Sequence, residues 1–408
     1  MIPGGYNILL VDDSAIALEY AQRQLEPGGH HVETVIDARE TLGRLAELNP
    51  DVVILDIMMP FINGFELCKK IRSDQKFEKT TIIMVSTKAY EADREKAMRM
   101  GADGYIVKPF SLERFDAIMN DLGCLKLSAW GVRGTLPMPQ EGYIEFGGNT
   151  SCYSVQLSTN RHIVLDAGTG IKGLSNALLN SSPNRFDLDL LITHPHWDHI
   201  HGFPFFAPLY MPGNEIQIFG SAQEELSLEN LLTGQMDGTH FPATIREFSA
   251  HIRFHELSEE EFQLGEVTVK TMLLKHPGNC LGYRIDLHGR SLCYITDNEL
   301  YLPDSEHADE EFMERLADFC RGTNVLIHDS TYFDEQYVKH VHWGHSALSQ
   351  VCRLAHLADA ERLWIHHHDP DQTDEDIAQK LVFCRERLDE MGSSTRAILP
   401  HEGMTERV

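Results

Sequence analysis

The segment LLITHPHWDHIHG at 190–202 constrains the fold of this chain more than any other stretch. An apolar run of strand character ends in His194, His196, Asp198, His199 and His201. On an extended turn alternate side chains point the same way, so His194 and His196 share one side, while Asp198 and His199 project toward a neighbouring position. A single H-x-H is weak, because a lone histidine is usually a packing or surface residue. Five such groups at one strand end demand a fold that gathers them. Imidazole and carboxylate suit Zn²⁺, Mn²⁺ or Fe, and two such ions roughly 3.5–4 Å apart can activate a bridging water while polarising a scissile group.

Further candidates close later apolar runs: Asp166 in IVLDAGTGI, His276 in TMLLKHPGN, Asp297 in SLCYITDNE and His367 in RLWIHHHDP. HHHDP leaves His366, His367 and His368 open as the ligand, and counting back from Pro370 favours His367. His201, His240, His340 and His342 read as packing or hydrogen-bonding residues at the mouth. Of 22 histidines in 408 residues, only His30 and His31 precede residue 123. Charge divides at the same place, with 14 basic and 20 acidic residues before it (net −6) and 21 and 42 after it (net −21). Such an acidic surface argues against a long nucleic acid, whose binding needs phosphate-neutralising lysines and arginines. The eight cysteines form no C-x-x-C pair, which argues against disulfides or a zinc ribbon. No basic leader or long apolar span is present, which predicts a cytoplasmic protein without a membrane segment.

Residues 1–122 alternate short β-branched runs with helical patterns, the signature of a parallel sheet covered by helices. Strands are expected at 7–11, 31–34, 52–56, 81–86 and 104–107, and helices at 14–25, 38–48, 64–71, 92–100 and 112–121. That is an α/β (βα)5 unit of the flavodoxin-like kind, in which ligands bind beyond the carboxyl ends of the strands. Asp12, Asp13, Asp56, Ser86 and Lys108 fall there. Clustered carboxylates invite Mg²⁺. Asp56 could then act as a carboxylate nucleophile toward a phosphoryl donor, with Ser86 and Lys108 on the phosphoryl oxygens.

VDDS at 11–14, LDIMMPFINGFE at 55–66, VSTKA at 85–89 and GADGYIVKPF at 101–110 resemble the motifs of two-component response-regulator receiver domains. The resemblance implies Mg²⁺ at Asp12, Asp13 and Asp56, phosphorylation of Asp56 by a sensor histidine kinase, phosphoryl contacts from Ser86 and Lys108, and a switch aromatic at Tyr105. The last helical pattern ends near Gly123, which can cap it. A strand-like run follows without a Gly/Ser or Pro linker. We therefore expect a receiver at 1–123, an output domain at 124–408, and restricted relative orientation.

The order Asp166, H-x-H-x-D-H, His276, Asp297, His367 resembles the metallo-β-lactamase superfamily, which implies an αββα sandwich with a binuclear site. WGVRGTLP at 130–137, FGGNTSCYSV at 146–155 and GFPFFAPLY at 202–210 resemble the branch near RNase Z and cyclic-nucleotide phosphodiesterases. By that resemblance His194, His196 and His276 hold one metal, Asp198, His199 and His367 the other, and Asp297 bridges them. Zinc is the first expectation, with manganese or iron as alternatives. His345 in GHS would contact phosphate or protonate the leaving oxygen, and Asp198 belongs with it in the catalytic set. Asp166 and Asp329 would orient ligands from behind.

Residues 221–262 read as a helical and loop insertion able to cover the site, with Glu259–Glu261 a solvated helix start. The basic arm by which RNase Z holds transfer RNA is not recognisable. The expected function is a response regulator whose output hydrolyses the phosphodiester of a small cyclic nucleotide or dinucleotide under control of Asp56. A lactone, thioester or RNA substrate is the alternative, as is a non-catalytic interaction module driven by phosphorylation. A homodimer is left open.

Overall fold

A computed structural model of the chain describes all residues except 1–4, 78–79, 88–89, 123–124, 158–160, 182–184, 225 and 288. Two compact units emerge, one running to residue 124 and one built from Leu125–Leu157, Arg161–Leu179 and Arg185–Val408. Gly123 and the expected 123/124 boundary lie outside the described residues.

The first unit is a five-stranded parallel sheet of β1 (Asn7–Val11), β2 (His31–Val35), β3 (Val52–Asp56), β4 (Thr81–Ser86) and β5 (Gly104–Val107), in the order β2-β1-β3-β4-β5. Every residue of β3 is buried, as expected where helices cover both faces. The helices begin where short polar side chains satisfy free backbone donors: Ser14 accepts from the Ala17 N–H and Asn63 from the Glu66 N–H. The helix expected over 38–48 is instead a 3-10 turn, Ala38–Glu40, capped by Asp37 and followed by an α-helix over Thr41–Leu48.

The second unit stacks two seven-stranded sheets. One contains β6 (Lys126–Gly131), β7 (Cys152–Gln156), β8 (Arg161–Leu165), β9 (Asp187–Leu191), β10 (Glu215–Gly220), β11 (His251–Glu256) and, at its other edge, the C-terminal strand Thr405–Arg407. The other contains β12 (Glu261–Leu264), β13 (Val267–Leu273), β14 (Leu281–Leu287), β15 (Arg290–Ile295), β16 (Val325–Asp329), β17 (Arg362–His366) and β18 (Arg396–Ile398), in that order. Side-chain alternation builds the layers. Ile163, Leu165 and Leu191 from the first sheet meet Leu292, Tyr294, Ile327 and Trp364 from the second in the inner core. The intervening Val164, Leu188 and Leu190 face outward onto the helix Ile171–Asn180, while Cys293, Ile295, Leu326 and Leu363 face the helices Glu310–Phe319 and Leu348–Leu357. The result is the αββα sandwich.

The insertion departs from expectation. Among the described residues of 221–262 there is one short α-helix, Leu228–Thr233, and a 3-10 turn, while other parts supply β11 and enter β12. Glu259–Glu261 is the approach to a strand rather than a helix start. Glu259 accepts from the Leu273 N–H and Glu260 from the Ser258 N–H, which pins the turn, and alternation of Phe262 and Leu264 continues it as β12.

No helix among the described residues is long and apolar enough to cross a membrane. Seven cysteines (Cys68, Cys152, Cys280, Cys293, Cys320, Cys352 and Cys384) are buried free thiols.

Candidate metal centre and candidate phosphoacceptor site

In the first unit, the carboxyl ends of β1, β3, β4 and β5 bring Asp12, Asp56, Ser86 and Lys108 to one rim. The Lys108 ammonium sits 2.7 Å from both Asp12 Oδ2 and Asp56 Oδ1. Burial opposes its charge, yet the hydrogen bonds to Asp12 and Asp56 hold it above the ordinary lysine value. The other Asp56 oxygen accepts from the Met58 N–H at 2.6 Å, and Asp12 accepts from the Ser14 N–H at 2.9 Å. Asp13 is exposed beside them, and Tyr105 is half-buried on β5. Lys108 thus occupies the position between the carboxylates that a divalent cation would share.

In the second unit, strand ends of both sheets converge. Asp297, just past β15, turns one oxygen to each side. Its Oδ2 lies 3.5 Å from His194 Nε2 and 3.7 Å from His276 Nε2, while its Oδ1 lies 3.1 Å from the Nε2 atoms of both His199 and His367. His196 joins the first set, its Nδ1 3.0 Å from His276 Nε2. Asp198 Oδ2 joins the second, 3.1 Å from both His199 and His367. Each set gathers four ligating atoms within 4.8 Å.

The donors fit divalent cations. The Nε2 atoms of His194 and His199 are buried without a well-directed hydrogen bond. Meanwhile the outward nitrogens are held: His199 Nδ1 at 2.8 Å from Asp166, His276 Nδ1 at 3.0 Å from the Gly344 carbonyl, His367 Nδ1 at 3.2 Å from the Thr331 hydroxyl, and His194 Nδ1 at 3.1 Å from the Thr193 hydroxyl. Fixing one ring nitrogen this way sets the tautomer and aims the other inward. Burial works against ionisation of Asp297 and Asp198, but the surrounding imidazoles hold both carboxyls well below the usual range.

The backbone is bent to achieve this. Thr135, Asp166, Asp297 and His367 all have positive φ, between 27° and 63°. Non-glycine residues rarely adopt that region, and such strain concentrates where a site over-determines the chain. At His367 the turn, with φ 62°, separates three consecutive histidines. His366 points into the inner core against the Tyr153 hydroxyl, His367 reaches the ligand cluster, and His368 faces the buried Lys380. Gly134 and Gly344 make room for the rings, since a Cβ at either would stand 2.1 Å from His367 or His276.

Behind the cluster, Asp166 is fully buried and accepts from the Thr193 N–H and hydroxyl, His199 Nδ1–H and the Tyr294 hydroxyl. Asp329 accepts from His345 Nδ1–H at 3.0 Å and from the Thr331 N–H. Burial lowers the basicity of His345, but the Asp329 carboxylate raises it, so that its pKa is pushed up to about 9. His345 lines a cavity of about 450 Å³ with Thr135, Pro195, His196, Trp197, Asp198, Asp297 and His367. No described residue of the 221–262 insertion lines it; the insertion packs on the outer core, with Phe241 against Phe205 and Gln235 donating to the Ile200 carbonyl.

Four lesser histidines separate from the cluster. His201 stacks on Trp197, His240 pairs with Asp237, His340 stacks on Tyr332 and His342 contacts Tyr301. Sequence reasoning missed Glu299. Its buried carboxylate accepts from the Tyr337 hydroxyl and the His342 and Gly344 N–H groups, holding the loop that presents both the Gly344 carbonyl and His345. A second polar residue after Asp297, in TDNE, was the available signal.

Comparison with known proteins adds two family matches: residues 8–120 to the response regulator receiver domain, and residues 161–368 to the beta-lactamase superfamily domain. Protein PilG of Pseudomonas aeruginosa is 35% identical over 109 residues, covering 27% of this chain and 81% of PilG. Transcriptional regulatory protein TcrA of Mycobacterium tuberculosis is 32% identical over 168 residues, 41% of this chain and 59% of TcrA, so the chain spans less than two thirds of that relative. The metallo-beta-lactamase fold protein YhfI from Bacillus subtilis superposes with a TM-score of 0.50 at 15% identity, covering 70% of this chain and all of YhfI, a likeness of fold alone.

Proposed function

This chain belongs to the metallo-β-lactamase superfamily and carries a response-regulator receiver domain at its N-terminus, and on that premise we propose that it is a phosphorylation-controlled, binuclear metal hydrolase of small phosphodiesters. The observation that carries the reading is Asp297, whose two oxygens face two separate sets of ligating side chains. His194, His196 and His276 would hold one cation and Asp198, His199 and His367 the other, with Asp297 shared. Two divalent cations held there, zinc foremost with manganese or iron as alternatives, would supply charge neutralisation at phosphorus and a water of lowered pKa. Asp198, 2.8 Å from the Thr135 N–H, is fixed at the cavity floor. His345, oriented by Asp329, stands on the cavity wall where it can pass a proton to the departing oxygen. Asp166 holds the His199 tautomer.

Among the described residues no lysine or arginine lines the cavity, so phosphate recognition falls to the cations and the histidines. With the net charge of −27, this favours a small substrate over a long nucleic acid.

In the receiver, Asp12, Asp13 and Asp56 would hold Mg²⁺ and Asp56 would take a phosphoryl group from a sensor histidine kinase, with Lys108 and Ser86 on its oxygens and Tyr105 responding. The test is a metal-quantified hydrolysis panel of cyclic mononucleotides, cyclic dinucleotides, short RNA, a lactone, a thioester and a generic phosphodiester. Phosphodiester turnover that disappears in Asp297→Ala is expected. Turnover confined to the lactone or thioester moves the site to another ester class, and no turnover with two metals bound leaves an interaction module. Running the panel with beryllofluoride, and with Asp56→Asn, reads regulation; identical rates in all three states remove direct control.

A further inference from the structure

We propose that Arg133 is a positioning residue for one cation of the hydrolase centre, the one assigned to Asp198, His199 and His367, and that its buried guanidinium sets the affinity for that cation while leaving the other alone. The inference rests on the binuclear reading above and names what aims one half of it.

Arg133 lies just past β6 and is fully buried. Its Nε donates to the Gly147 carbonyl at 2.9 Å, Nη1 to the Gln372 carbonyl at 2.7 Å, and Nη2 to Asp374 Oδ1 at 3.1 Å and the Tyr143 carbonyl at 3.5 Å. Its Cζ stands 4.7 Å from the centroid of the Tyr143 ring. Asp374, the first residue of the helix Asp374–Glu390, completes the clamp: its Oδ2 accepts from the Glu145 N–H at 3.0 Å, and its own N–H donates to the Gly142 carbonyl at 2.8 Å. Packing alone does not call for a cation here, because apolar residues of similar volume are often at least as stabilising as a buried ion pair. What they cannot do is tie a loop to a helix start through a rigid fork of donors.

The residues on either side of Arg133 touch that ligand set. Before it, the Val132 carbonyl accepts from the His367 N–H at 3.0 Å and the His368 N–H at 3.3 Å. After it, the Gly134 N–H donates to the His368 carbonyl at 3.0 Å and the Thr135 N–H to Asp198 Oδ2 at 2.8 Å. Gly134 also lies against the His367 ring, with no room for a Cβ. Residues 132–135 therefore fix both the turn that aims His367 and the carboxylate beside it, and Thr135 does so at a strained φ of 63°. The other set is held from elsewhere: the outward nitrogens of His194 and His276 meet the Thr193 hydroxyl and the Gly344 carbonyl. Releasing the guanidinium loosens one set of ligands and not the other.

The experiment measures zinc affinity of the full chain by competition with a chromophoric chelator, which resolves two binding steps, and follows folding of the metal-free chain by circular dichroism. Arg133→Lys keeps the charge but offers one ammonium in place of the fork. It should weaken one zinc roughly tenfold, the low end of what loss of a ligand's supporting partner costs, and leave the other within about twofold. His367→Ala identifies which zinc is affected: in that background, adding Arg133→Lys should change the remaining affinity by less than about twofold, as for independent sites. Asp374→Asn leaves the arginine in place but loosens its hold; it should show the same selectivity and serves if the lysine variant does not fold. Equal losses at both zincs, no loss at either, or a comparable loss persisting in the His367→Ala background, as a general loosening of the fold would give, overturns the proposal. A wild-type chain that binds a single zinc removes the binuclear reading and the proposal with it. Selective loss in a protein that cleaves no phosphodiester supports the clamp and removes the hydrolase reading; cleavage with equal zinc losses does the reverse.

Discussion

Asp166→Asn isolates how the metal centre is aimed. Asp166 accepts four hydrogen bonds while fully buried, two from Thr193 at 2.8 and 3.0 Å, one from His199 Nδ1–H at 2.8 Å and one from the Tyr294 hydroxyl at 2.8 Å. An ionised carboxylate only accepts, so Nδ1 of His199 must carry a proton, which leaves Nε2 as the nitrogen that can turn a lone pair to a cation. Asparagine tolerates the φ of 58° at this position, so backbone strain adds little. Its carbonyl can keep the Thr193 donors, but its amide group now faces His199 and Tyr294. The tyrosine hydroxyl can rotate to accept; the imidazole must shift its proton to Nε2. There the proton meets Asp198 and Asp297 at 3.1 Å, which partly offsets the loss. One charge-assisted bond is lost, about 2 kcal/mol in the metal-free protein. Metal binding suffers more, because the protonated Nε2 no longer donates a lone pair. A 10–100-fold loss in affinity is expected, adding about 1.4–2.8 kcal/mol to the gap in the metal-loaded state. Urea unfolding with and without chelator gives the first quantity and competition with a chromophoric chelator the second. The receiver's own transition, free of the substitution, is the internal control. Metal affinity equal to that of wild type would refute the tautomer assignment.

Other outcomes follow from the same geometry. Gly134→Ala puts a Cβ 2.1 Å from the His367 ring; bound zinc, counted by atomic emission, should fall from two per chain toward one, and two retained ions would contradict the pairing of His367 with the second set. Lys380 is fully buried, its ammonium on the Ser330 and Thr331 carbonyls and beside His368, and burial pushes its pKa down to about 7 from 10.5 despite Asp329, Asp369 and Cys384. Between those values the unfolded chain holds the proton and the folded one does not, so this group makes stability rise with pH across about 7 to 10.5. The stability difference between wild type and Lys380→Met should therefore move in favour of wild type, by about 2 kcal/mol from pH 7 to 9, in parallel denaturant titrations. Lys108→Met removes the cation between Asp12 and Asp56, so thermal melting of the receiver should drop in chelator and recover on adding Mg²⁺, with a larger Mg²⁺ response than wild type; no difference in response would count against a shared site. Desolvation pushes the Cys68 thiol up to about 12, and with the other six described cysteines also buried, native protein at pH 8 should resist iodoacetamide at all seven, as read by peptide mass spectrometry.

Much of the candidate site was legible because the fold places chemistry at strand ends, and strand ends are local events. An apolar run that stops at Asp56, His194, Asp297 or His367 announces both the strand and the residue just beyond it. The receiver strands were readable for the same reason, down to the residue at four of five, since burial on both faces makes β1, β3 and β4 short, nearly continuous apolar segments. The 221–262 insertion was misread because β11 and β12 are edge strands, half-exposed and rich in polar residues, and the pairing of β11 with distant β10 is not written in its own pattern.

The sequence by itself determined the two fold classes, the ligand types and the phosphoacceptor constellation, because strand periodicity and residue chemistry act over a few positions. Only the tertiary structure decided which of three consecutive histidines joins the cluster, since that depends on one positive φ at His367 and on the space left by Gly134. It also decided that Asp297 divides its oxygens between two ligand sets, that Glu299 anchors the His345 loop from 45 residues away, and that Trp197 faces an open cavity. Each of these is a matter of side-chain direction set by contacts between segments far apart in the chain, and direction is what local pattern leaves free.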